Sequence, residues 1–158
     1  MTRRVRRRMG PLEQQRLALL LIWVSAALAG WGGYLRAAAG PGESGAGGYL
    51  MGTAALLVAA GAAGWQARVA GMLILFNPKA VRRRAILSLL AGICTALVGC
   101  VVPSTIETDR YGHFVRALAE AGIAGGFGLG LAGFLSLAWT LGMGYAGARI
   151  ERLSEEDW

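Results

Sequence analysis

Residues 117–148 read ALAEAGIAGGFGLGLAGFLSLAWTLGMGYAGA, with a single charge, Glu120, close to the start. A helix on the surface of a soluble protein shows an apolar stripe and a polar one at the helical period. This run has no polar stripe, being apolar or small on every side. At 1.5 Å per residue it forms a helix of about 48 Å, more than the ~30 Å hydrocarbon core of a bilayer, so it crosses with tilt or projects beyond.

Three more blocks repeat the pattern. Residues 17–35 carry no charge, and residues 85–102 lie between the triplet Arg82, Arg83, Arg84 and Pro103. Between them, the block from Tyr49 is uninterrupted to Trp65, is broken by Gln66 and Arg68, and resumes until Asn77-Pro78. The spacing predicts an all-α integral membrane bundle of four transmembrane helices, at about 17–35, 49–76, 85–103 and 115–147, forming one membrane domain over residues 1–158. Flanking it are a basic segment 1–16, an outer loop 103–116 and a tail 149–158.

Composition agrees. The chain is 55% hydrophobic and 16% charged, with a mean hydropathy of +0.49, too little polar surface to coat a soluble fold. Its 25 glycines would weaken soluble helices but suit membrane helices, where small residues let backbones approach.

A net charge of +7 raises the question of nucleic acid, and the placement of the charge answers it. The segment before the first block holds six basic residues, Arg3, Arg4, Arg6, Arg7, Arg8 and Arg16. The stretch between the second and third blocks holds five, Arg68, Lys79, Arg82, Arg83 and Arg84. The other two connections hold Arg36 alone and Arg110 with Arg116. Arginines beside apolar blocks orient helices and attract anionic lipid, and no aromatics are interleaved for base stacking. The expectation is both ends on the cytoplasmic side of a bacterial inner membrane, with no nucleic-acid partner. Trp31, Tyr34, Tyr49 and Tyr111 then fall near the outer interface and Trp65 and Tyr145 near the inner one, while Trp139 has no anchoring role. An alternative is that residues 1–29 are a cleaved signal peptide, since the arginines, the apolar run and Ala27-Leu28-Ala29 mimic one.

Residues that could carry chemistry are few. Cys94 and Cys100 would sit about 240° apart around one helix and ~9 Å apart along it, too far to bridge, and are read as small apolar residues or, for Cys100, an intermolecular link. His113 is the only histidine. It excludes bis-histidine haem ligation within the chain and two-histidine metal motifs. Asp109, His113 and Glu120 form a candidate outer-face acid/base or metal cluster, against which stands a solvated loop with Arg116 and Glu120 paired one helical turn apart. Gln66 and Arg68 are a candidate contact for an anion or lipid. Arg68 is at the cytoplasmic interface if residues 49–65 fill the bilayer, and ~12 Å inside if the helix slides inward to residue 76. Residues 128–133 mimic a dinucleotide-binding glycine motif but lack the strand-turn-helix context it needs.

The most regular pattern is Gly122, Gly126 and Gly130 at intervals of four, with Gly133 beyond, a face suited to helix packing or to a partner interface. Weaker series occur as Ser25, Ala29 and Gly33, and as Ser88, Gly92, Ala96 and Cys100. The expected function is that of a non-catalytic small membrane subunit, packing through these helices within a larger complex or against itself, surrounded by membrane lipids and needing no cofactor or metal. The alternative is a small oligomeric transporter or channel for an anionic or lipid-like substrate.

Overall fold

Prolines open two of the four helices. In the computed structural model α1 spans Pro11–Ala38, α2 Ala46–Leu73, α3 Pro78–Thr105 and α4 Gly112–Glu156. At the first position of a helix a proline's missing N–H is not needed and its fixed φ already suits the helix. Before Pro11, the Gly10 N–H donates to the Glu13 carboxylate at 3.1 Å. Before Pro78, the Asn77 side-chain oxygen accepts the Ala80 N–H at 3.1 Å, an N-cap. The structure describes residues 10–39, 45–74, 77–105 and 112–156, and the side chains of these except at 102–105 and 144–156.

The four expected helices are present, and each is long and apolar enough to cross a bilayer. Their ends differ from the apolar blocks. The apolar run predicts a second helix to 76, but α2 ends at Leu73, and Asn77-Pro78 starts α3 seven residues before the expected 85. Arg82, Arg83 and Arg84 therefore lie on the first two turns of α3, where they are exposed. Likewise α3 continues through Pro103, and α4 runs beyond 147 to Glu156. Helical hydrogen bonding does not stop where hydropathy changes, because charged side chains are good helix formers and keep their heads in water.

Size sorts the residues from inside to outside. The buried positions are mostly small, among them Ala18, Ala29, Ala55, Ala59, Ala63, Ala124 and Ala132, with Ile22 and Val69 the largest fully buried apolar ones. Large apolar residues point outward, as do Trp23 at 64% exposure and Leu57 at 70%. A soluble protein arranged like this would expose far more contiguous apolar surface than such proteins carry. In lipid the same arrangement is stable, since tails solvate the large side chains and small ones let helices touch. The chain is an integral membrane protein.

Facing residues give the helix directions. Ile22 meets Ala62 and Ala63 while Gly32 meets Gly48 across α1 and α2, and Ala26 meets Gly125 while Gly30 meets Ala117 across α1 and α4, so both pairs are antiparallel. Ala59 meets Gly128 and Trp139 meets Gly71, so α2 and α4 run parallel. Helix α4 touches all three others. It forms a triangle with α1 and α2, while α3 packs on α4 with only a slight touch on α2. The bundle is thus a three-helix core with a fourth helix laid along α4.

The glycines of α4 make the α3 contact. A β-carbon at Gly126 would lie 2.5 Å from the Ala96 nitrogen and 2.7 Å from the Gly92 oxygen. One at Gly133 would lie 2.5 Å from the Leu89 nitrogen, and one at Gly122 3.2 Å from the Gly99 α-carbon. A β-carbon at Gly92 would run into the backbone of Gly130. The series Ser88, Gly92, Ala96 on α3 faces the series on α4, and the Ser88 hydroxyl donates to the Leu129 carbonyl at 2.9 Å. Cys100, at the end of the α3 series, is instead exposed, as is Cys94.

Candidate functional site

One polar cluster joins the end of the core opposite the Arg82, Arg83 and Arg84 triplet. Arg36, in the last turn of α1, puts Nη2 on Oε2 of Glu120 in α4 and donates from Nη1 to the Gly48 carbonyl of α2 at 2.9 Å. Its guanidinium carbon lies 4.8 Å from the centre of the Tyr49 ring. Arg116 Nε reaches Glu120 Oε1 at 3.6 Å. Glycine makes the room. A β-carbon at Gly33 would lie 2.7 Å from the Glu120 carboxyl carbon, and one at Gly48 2.6 Å from Arg36 Cγ. The two partners are largely shielded, with side-chain exposures of 12% for Arg36 and 21% for Glu120, whereas Arg116 is 55% exposed.

A carboxylate in an apolar helix is costly unless a cation and hydrogen bonds meet it. Glu120 meets two cations, and Arg36 in turn bonds the Gly48 carbonyl, so the pair acts as a clamp across three helices. The sequence pairing of Arg116 with Glu120 is present, but it is the longer and more exposed contact. Arg36 is the residue that sequence reasoning did not single out. Its signal was a lone acid in a small-residue helix and a lone cation at the same end of another.

The expected outer-face cluster is only partly assembled. Asp109 lies outside the described residues. His113 is exposed on α4 and meets the Tyr34 ring edge-on, with centroids 6.1 Å apart. Tyr34 in turn stacks on Trp31 at 5.7 Å, so these aromatics gather at one end as an interface belt does. His113 and Glu120 share the wall of an open cleft of about 710 Å³ that Cys100 also lines, but the Glu120 oxygens are engaged by the two arginines. Among the described residues no group of three His, Cys, Asp or Glu side chains could hold a metal.

Gln66 and Arg68, considered together in the sequence, part company. Two residues along a helix turn the side chain by about 200°. Gln66 is buried at 8% exposure, and its Oε1 has no hydrogen-bond partner among the described residues. It lines a narrow space of about 20 Å³ shared with Gln15, Arg84, Ser88 and Ser136, so all four helices contribute a polar side chain there. That is room for one water, the usual way of satisfying a buried acceptor. Arg68 is exposed on the other side, in an open groove between α2 and α4.

Of the four glycines singled out, Gly122, Gly126 and Gly133 face the α3 backbone closely and Gly130 more loosely, its β-carbon position being 3.9 Å from the Gly92 α-carbon. No protein-family model, curated protein or solved structure matches the chain.

Proposed function

We propose that this protein is a non-catalytic integral membrane subunit of the bacterial cytoplasmic membrane, with both ends in the cytoplasm, that binds other membrane-spanning chains laterally. The observation that carries this reading is the outer face of α3. Ile86, Leu87, Leu90, Ile93, Leu97 and Val98 are all exposed there, while the opposite face of α3 is held by α4. A helix laid along one neighbour and open on its other sides offers a broad apolar surface of large side chains for a second bundle.

The polar groups support the same reading. Arg36 and Glu120 hold helices together, and Gln66 and Arg68 diverge. A transporter for an anion needs such groups to converge on one passage.

Purification in a mild detergent tests the proposal. The expected result is an assembly heavier than one chain, in which Leu90→Lys with Leu97→Lys on α3 reduces the assembly to single chains. A wild-type protein that is a lone monomer with no co-purifying chain contradicts it.

A further inference from the structure

The groove between α2 and α4 combines features of a lipid site. It has a volume of about 990 Å³, at the upper end of the roughly 300–1,000 Å³ of ligand sites, and is open toward the membrane. Small residues Gly64, Ala67 and Gly71 floor it on α2, and Leu135, Ala138 and Trp139 line it on α4. Among the described residues Arg68 is its one charged lining residue. No ion pair among the described residues engages this arginine.

Depth fits a headgroup. Arg68 lies five residues before Leu73, the end of α2, which is about 7.5 Å of helix. That distance is within reach of an arginine side chain whose stem snorkels along the groove toward the end of α2. That end of the molecule carries the basic residues Lys79, Arg82, Arg83 and Arg84, exposed on α3. Trp139 is 54% exposed, and its indole nitrogen sits over Gly71, where a β-carbon would collide with it. Indoles favour this depth because their ring is apolar and their N–H polar.

We infer that the groove is a binding site for one anionic glycerophospholipid, its phosphate on the Arg68 guanidinium and an acyl chain lying past Gly64 and Leu135 toward the membrane centre. The charge selects the headgroup and the floor of small residues admits the chain. This assigns Trp139 a role as the wall of the site.

Native mass spectrometry of the detergent-purified full chain, titrated with phosphatidylglycerol or phosphatidylcholine, tests the inference. Wild type should retain phosphatidylglycerol about fivefold better, the factor expected from one basic side chain near a membrane surface. Arg68→Gln should abolish that preference, whereas Arg83→Gln, on α3 outside the groove, should preserve it. Gly64→Leu provides a second handle. A β-carbon at Gly64 has nothing within 4 Å, so leucine enters the groove without disturbing the packing and should lower retention of both lipids with an unchanged melting temperature. Equal retention of the two lipids by wild type overturns the site, as does selectivity that survives Arg68→Gln or falls equally with Arg83→Gln. Displacement of the bound lipid by millimolar inorganic phosphate overturns the lipid assignment.

Discussion

Gly126→Leu is expected to lift α3 off α4 while α1, α2 and α4 stay assembled. Even a β-carbon at this position meets Ala96 and Gly92 backbone atoms at 2.5 and 2.7 Å, and backbone cannot rotate aside as a side chain can. Overpacking of a core costs about 1–3 kcal/mol, and a leucine against helix backbone is expected at or above the top of that range. Among the described residues little else holds α3 in place, its other contact being with a small part of α2. Spin labels at the exposed positions Leu90 on α3 and Phe134 on α4 should show a longer and broader distance in the variant. Labels at Trp23 on α1 and Gly61 on α2 should show no change. If the glycine face served a separate subunit instead, the substitution would release that subunit and leave both distances intact.

The second large effect concerns Arg36 and Glu120. Replacing Arg36 with Met, or Glu120 with Gln, is expected to lower stability in detergent by about 3 kcal/mol, since removing one member of a shielded ion pair strands the other. Replacing both together should recover much of that loss, because the cost of desolvating each charge disappears with the attraction between them. Arg116→Ala, at an exposed contact of 3.6 Å, should cost under about 1 kcal/mol. A double-mutant cycle read by thermal unfolding measures the coupling. Single and double variants with additive losses would show that the two side chains act independently.

The crossings were legible because lipid imposes a long apolar run, which local composition records directly. Helix ends were less so. Asn77-Pro78 reads equally as the stop of one helix or the start of the next, and only the hydrogen bond from Ala80 to the Asn77 side chain decides it. The glycine series on α4 and the small-residue series on α3 were both visible, but two such faces can meet each other or an outside partner. The register that sets Gly126 on Ala96 is a tertiary fact. The clamp was hidden for the same reason, Arg36 and Glu120 being joined across helices far apart in sequence. Gln66 and Arg68 were close in sequence, yet the helical turn sends one inward and the other outward.

These features describe an inside-out arrangement, with alanine and glycine inside, leucine and tryptophan outside, and one charged clamp near an end. It is a stable design only if lipid surrounds all four helices. Topology mapping with paired reporters, one active only in the cytoplasm and one only beyond it, tests this most directly, with fusions after residues 42, 77, 109 and 158. Cytoplasmic activity is predicted at 77 and 158 and activity across the membrane at 42 and 109. Termini on opposite sides, or position 77 on the same side as 42, would contradict the four-crossing account.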